Sequence, residues 1–350
     1  MTCKALLFWE NRLERIEQAV DKVKKGKSSV LGKSAGGRDI YLVEYGQKQD
    51  MNRKANYSSA CSYADPRVYA DKTGDIKPVV LLVGATHGGE IEGIAAILNL
   101  MEALETGKDL RGEKQEYICN MADNFRILLI PCLNPDGRAR VPYNVVSEVS
   151  PHEVILYKHG SWKDGTLAQY PQCFRVHPIL GEADYLGGYY NDDGVNLSAD
   201  NFFAPMAEEN KSLMRLVDRE APDFTVLLHT GCHVHGKLIQ PGYLPGFVLN
   251  RILSFDKQIN ARFAENGYGY YTLDEHGVNY TDQMQYPPRP FGMSSSIHHA
   301  CGGISFTYES YEATHDKDDF FSCDNILDCH FLLFEEVFKF TSSEHSMRDN

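Results

Sequence analysis

The sequence predicts an α/β protein: a three-layer α/β/α arrangement around a mixed, mostly parallel central sheet. Short, continuous apolar runs such as "KPVVLLVG" and "FRILLIPCL" read as strands covered on both faces. Amphipathic helical patterns alternate with them, which is the signature of a sheet sandwiched between helices. Finally, three of the predicted strands terminate in chemically useful side chains, His87, His229 and Glu309. Parallel strands bring such ends to one edge, where open α/β sheets build their sites.

The elements follow in order. Leu13, Ile16, Val20 and Val23 recur at helical spacing and stop before Gly26, giving an N-terminal helix. "DIYLVEYG" is a strand after a turn-rich "GKSAGGR", and residues 47–77 are polar enough to read as a long loop or a small excursion. "KPVVLLVG" gives the next strand, and Ile91, Ile94, Leu98 and Met101 mark one face of a helix ending near Gly107. "FRILLIPCL" is a further strand. From Asn134 to Asn201 glycine, proline, tyrosine and aspartate dominate, so long loops are expected there, of the kind that are usually functional. A helix led by Pro205 carries Leu213, Leu216 and Val217; "DFTVLLH" and "GGISFTYE" are strands, and a helix capped by Asp324 closes the chain.

With 350 residues, 43% of them hydrophobic, the chain can bury a substantial core as one large domain or two modest ones. A formal charge of −13 argues against nucleic acid and anionic membrane surfaces as partners and leaves small ligands as the expected class. The nine cysteines are odd in number, scattered and without a C-x-x-C pair, so free thiols in a reducing, cytoplasmic compartment are expected. No apolar run approaches the roughly 18 residues of a membrane span.

The stretch "HGGE", residues 87–90, sets an imidazole and a carboxylate three positions apart in a turn, close enough to bind one ion. One distant histidine would complete the His₂Glu set of catalytic zinc sites, one Zn²⁺ ion with an open coordination position. "LLHTGCHVHG" offers His229, His233 and His235; His229 is preferred because it terminates the strand.

The ordered set of His87 and Glu90, "NPDG" at 134–137, strand-end His229 and Glu309 in "SFTYE" resembles the zinc carboxypeptidase family of metallopeptidases. The similarity spans roughly residues 10–340, and an ordered set of motifs is more specific than any one of them. The resemblance implies that His87, Glu90 and His229 bind zinc. It also implies that Glu309 is the general base that activates water and then protonates the leaving amine. An arginine supporting the oxyanion is implied too; Arg138, Arg140 and Arg175 are candidates, with Arg140 favoured as catalytic and Arg138 as substrate-binding. Tyr280 or Tyr286 would be the family's mobile tyrosine, and Tyr286 is taken as substrate-binding. "MSSSIHHACGGISF" is similar to the region lining the side-chain pocket, which puts His298 or His299 at its floor.

One departure bears on specificity. Where the family reads G-V-D-L-N-R-N-F, this chain reads "GVNLSADNF". Asn196 replaces the acid and is assigned to substrate binding, while Ser198, Ala199 and Asp200 supply no guanidinium fork for a carboxylate. A zinc-dependent hydrolase of a peptide or related amide is therefore expected, with residues 1–350 as its single catalytic domain. The alternatives are an N-acyl amino acid deacylase of the desuccinylase and aspartoacylase type, or a binding protein without turnover.

Overall fold

The apolar runs lie side by side, as their continuous hydrophobicity requires of strands with no solvent face. The structure is a computed structural model describing residues 6–232, 236–276, 288–314 and 321–346. Its strands are β1 (Lys27–Lys33), β2 (Asp39–Tyr45), β3 (Val79–Gly84), β4 (Arg126–Ile130), β5 (Gly160–Trp162), β6 (Ala183–Leu186), β7 (Phe224–Cys232), β8 (Gly236–Ile239), β9 (Tyr270–Tyr271) and β10 (Ile304–Tyr311). Its helices are α1 (Leu13–Asp21), α2 (Tyr57–Ser62), α3 (Glu92–Thr106), α4 (Glu116–Ala122), α5 (Pro135–Arg140), α6 (Pro151–His159), α7 (Glu208–Glu220), α8 (Gly246–Glu265), α9 (Leu273–His276), α10 (Met293–Cys301) and α11 (Cys323–Ser346).

Among the described residues the main sheet has eight strands in the order β1-β2-β4-β3-β7-β10-β8-β9. The central four, β4, β3, β7 and β10, are parallel; β1, β2 and β8 join antiparallel. The sheet is thus mixed and mostly parallel, as the sequence predicts. Every residue of β3 and β4 is buried, which matches runs with no polar alternation.

Two apolar clusters line the two faces. On one, Val80, Leu82, Val226, Leu228, Phe306 and Tyr308 pack with residues of α3, α8 and α11. On the other, Leu81, Val83, Leu128 and Leu227 pack with Leu213, Leu216 and Val217 of α7 and Met293 and Ile297 of α10. Full burial of each such side chain contributes roughly 1.5–3 kcal/mol. No helix among the described residues is long and apolar enough to cross a membrane.

Several sequence expectations are corrected. Residues 134–201 hold α5, α6 and a small β5–β6 sheet. These elements are set by caps, which leave no long periodicity to read. Asn134 accepts from the Gly137 amide, and Ser150 and Glu153 form a reciprocal capping box. Residues 47–77 contain α2, capped by Asn56. α1 does stop before Gly26 as expected, but it ends at Asp21 and so leaves Val23 beyond its last turn. His229 and Glu309 do not terminate their strands: β7 and β10 run on to Cys232 and Tyr311.

Candidate metal centre

His87 lies in the turn that follows β3, and Glu90 immediately precedes α3; the Glu90 amide donates to the His87 carbonyl at 3.0 Å, closing that turn. The turn presses against α5 so tightly that a Cβ on Gly88 would sit 2.0 Å from the Arg138 amide nitrogen. Only glycine permits this approach. His229 comes from β7, next to β3 in the sheet, so an interval of the chain longer than a hundred residues is bridged by strand pairing alone.

The three side chains converge in a buried cluster, with one ligand atom from each lying within 4.8 Å of the others. Glu90 spans both imidazoles: Oε1 is 2.7 Å from His87 Nδ1, and Oε2 is 2.8 Å from His229 Nδ1. The Thr230 amide also donates to Oε2 at 3.3 Å. Burial opposes the charge on Glu90, yet the two imidazoles outweigh it and hold the carboxyl below its ordinary range. Burial lowers the pKa of His229, but Glu90 and then Glu309 reverse this, and the net shift is upward. His229 Nε2 is buried without a partner among the described residues. Two imidazoles and a carboxylate gathered this closely form a donor set that suits Zn²⁺.

The ring of His87 is fixed on two further sides. Its Nε2 lies 3.1 Å from Asn196 Oδ1, and Tyr189 stacks on it with centroids 3.9 Å apart and planes at 5°. His159 meets the same tyrosine edge-on at 4.4 Å. Burial, then the neighbouring Lys158, push His159 down to about 4, so this imidazole is neutral near pH 7. Asn196 therefore contacts a candidate ligand, which departs from its expected place on the substrate.

Glu309 on β10 stands directly opposite His229 on β7. Its carboxylate passes over Gly231, where a Cβ would meet Oε2 at 3.4 Å. Glu309 keeps a little solvent exposure. Enclosure by protein, reinforced by Glu90, pushes its carboxyl up to about 7. On its other side β8 runs antiparallel and places Lys237 in register with Glu309.

The two preferred arginines are spent elsewhere. Arg138 is buried, and its guanidinium donates to the carbonyls of Asn11, Val141 and Tyr143 and to Asn11 Oδ1. It ties the N-terminal segment to the loop after α5, with four of its five N–H donors engaged in these bonds. Arg140 pairs with Asp192 and donates to the Tyr190 and Gly187 carbonyls. Arg175 lies over the Trp162 ring at 3.9 Å.

His298 is likewise absorbed by packing: it is buried, its Nδ1 is 2.8 Å from the Gly303 carbonyl oxygen, and Tyr57 meets its ring edge-on. Burial pushes it down to about 4. His299 bonds the Tyr243 carbonyl oxygen. Tyr280, Tyr286, His233 and His235 lie outside the described residues. Asp200, in the stretch that departs from the family pattern, accepts from the Met206 and Ala207 amides and from Asn210. It is consumed in fixing the approach to α7.

Sequence reasoning missed Tyr189, His159 and Lys237. Tyr189 sits in an aperiodic loop, and Lys237 becomes visible only once strand register is known.

The family profile described as zinc carboxypeptidase matches residues 16–163, which include His87, Glu90 and the "NPDG" turn. That segment is 148 of the 350 residues, so the match to the zinc carboxypeptidase profile covers a little under half of the sequence. Solved carboxypeptidases extend the likeness of fold to nearly the whole chain. A metallo-carboxypeptidase from Burkholderia cenocepacia aligns with a TM-score of 0.59 at 16% identity, covering 94% of this chain and 68% of that one. The metallo-carboxypeptidase from Pseudomonas aeruginosa, solved in complex with (2-guanidinoethylmercapto)succinic acid, gives 0.55 at 16%, covering 93% and 68%. Carboxypeptidase A from Helicoverpa armigera gives 0.51 at 14%, covering 97% and 75%. No curated protein matches the sequence. The chain thus has the carboxypeptidase fold and a His-Glu-His cluster able to hold a metal.

Proposed function

We propose that this chain is a zinc-dependent hydrolase of a peptide or related amide bond, acting as one catalytic domain. The observation that carries the reading is the register of Glu309 beside the buried His87-Glu90-His229 set. His87, Glu90 and His229 would hold the ion, and the family description of the 16–163 match names zinc. A zinc ion there supplies a Lewis acid that polarises a carbonyl and acidifies water. Glu309 is placed to take a proton from the attacking water and pass it to the leaving nitrogen. A carboxyl pushed up to about 7 can exchange a proton in both directions near neutral pH, which general acid–base work requires. Asn196 and Tyr189 hold the His87 ring in one orientation.

The arginine geometry favours a second reading for the substrate. With Arg138 and Arg140 occupied and Asp200 holding the approach to α7, neither arginine is free to form the fork that would select a peptide's C-terminus, which suits a C-terminally blocked peptide as well as a free one. Zinc-loaded protein assayed against C-terminally free peptides, blocked peptides and N-acyl amino acids separates these readings. Glu309→Gln is expected to keep one zinc per chain while losing about 10²–10⁴-fold in rate. A variant as active as the wild type, or no hydrolysis by either protein, would refute the hydrolase reading.

A further inference from the structure

The missing carboxylate fork leaves open which group holds an anionic part of the ligand. Pairing across β7, β10 and β8 sets His229, Glu309 and Lys237 in one row. Residues in register share a face, with neighbouring Cβ atoms roughly 5 Å apart. The preceding row confirms the parity: Leu228, Tyr308 and Leu238 all sit in the cluster beneath the opposite face. Lys237 therefore projects on the same side as the metal-binding set, with Glu309 between them. Lys237 and Glu309 are both partly exposed, so this flank opens to water. The ammonium acts on Glu309 through space, yet among the described residues it forms no ion pair of its own. The other nearby cation, Lys158, is buried against Glu312.

We propose that Lys237 is the anion-binding residue of this site, holding a carboxylate of the ligand on the flank of Glu309 opposite His229. The proposal rests on the hydrolase reading for the ligand's class. A ligand reaching from the metal-binding set to Lys237 lays its amide bond across Glu309, the residue that must reach it. The chemistry selects a singly charged group. One ammonium matches one carboxylate, whereas a phosphate dianion would meet Glu90 and Glu309 with twice the repulsion. Asp200 leaves the "GVNLSADNF" segment unable to do this work, and a lysine from a different strand does it in this chain.

The test needs no turnover and uses achiral probes, N-benzoylglycine and its neutral amide, titrated calorimetrically into zinc-loaded protein. Wild type is expected to bind the acid at least tenfold more tightly than the amide. Lys237→Met should bring the two within twofold of each other by weakening only the acid, and Lys237→Arg should restore the preference. Equal affinity in the wild type, binding of neither probe at millimolar concentration, or a preference that survives in Lys237→Met overturns the assignment. Because Lys237 is partly exposed, both variants are expected to melt within a few degrees of wild type. A binding preference that holds in a protein without amidase activity would retain the anion site and discard the hydrolase reading alone.

Discussion

Glu309 offers the most direct residue-scale measurement. In the metal-free fold its carboxyl is raised from 4.5 to about 7, by burial first and the Glu90 charge second. The native state thus keeps a proton that the unfolded chain releases, so stability falls as pH rises from about 4.5 through about 7. The accumulated loss is on the order of 3 kcal/mol and is absent from Glu309→Gln. Urea midpoints of the two metal-free proteins should therefore diverge between roughly pH 5 and pH 7.5, with the wild type losing ground; parallel curves would contradict the assignment. His229 has the opposite consequence for the ion. Glu90 raises its pKa, so a metal must displace a proton that an isolated imidazole would already have lost. Zinc affinity should climb by up to about tenfold per pH unit until His229 is deprotonated. Asn196 supplies a neutral acceptor to His87 Nε2, where a carboxylate would make the imidazole a stronger donor to the ion. Asn196→Asp should tighten zinc binding, and Asn196→Ala should weaken it about 10–100-fold in a chelator competition. The meeting of His87, Glu90 and His229 was legible in the sequence because each stands in or next to an apolar strand. The fate of Arg138 was not, since its acceptors are backbone carbonyls, which leave no trace in residue type.

At the scale of elements, the packing of the 87–90 turn against α5 explains why "NPDG" accompanies the metal cluster. Asn134 caps α5, and Pro135 presets its first turn. Asp136 is buried, yet hydrogen bonds from Ser34 at 2.6 Å, the Gly36 amide at 2.8 Å and Arg38 at 2.7 Å hold it below its ordinary range. The motif is thus a structural brace that fixes the backbone under His87. Gly88→Ala drives a methyl into that brace and should destabilise the fold by about 1–3 kcal/mol, with a larger relative loss in zinc affinity than in urea midpoint because His87 rides on the turn. Equal losses in both would show that the turn has no particular hold on the ligand. Elements with a long apolar stripe were readable: β3, β4, β7 and α3 fall on their predicted runs, and α7 carries the expected Leu213, Leu216 and Val217 but starts at Glu208, beyond Pro205. Those built from caps or edge pairing were not. β1 alternates exposed and half-buried residues at the sheet edge, and α5 and α6 are too short for periodicity. A four-residue strand such as β8 offers no pattern, so Lys237 could not be placed beside Glu309 before the register was seen.

For the whole molecule, the central parallel strands would make a bound ion a cross-link. The layer order was legible because alternating strands and helices admit few arrangements, but the row joining β7, β10 and β8 reverses direction at its last member. No hydropathy pattern announces that reversal. His87 and Glu90 follow β3, whereas His229 belongs to β7, so a bound ion ties together two strands that share an extensive buried interface. An ion that binds only the folded state stabilises it by about 4 kcal/mol at a free concentration of 1,000 times Kd. In a chain of 350 residues that energy corresponds to several degrees in melting temperature. Saturating zinc is therefore expected to raise the melting temperature of wild type by several degrees, and a chelator to reverse the gain. Glu90→Gln removes the anion that both imidazoles share, so its melting temperature should ignore zinc altogether. The shift should also fade as pH drops and the two imidazoles keep their protons. A zinc-dependent rise of equal size in Glu90→Gln would place the ion somewhere other than between β3 and β7, and the hydrolytic reading would lose its foundation.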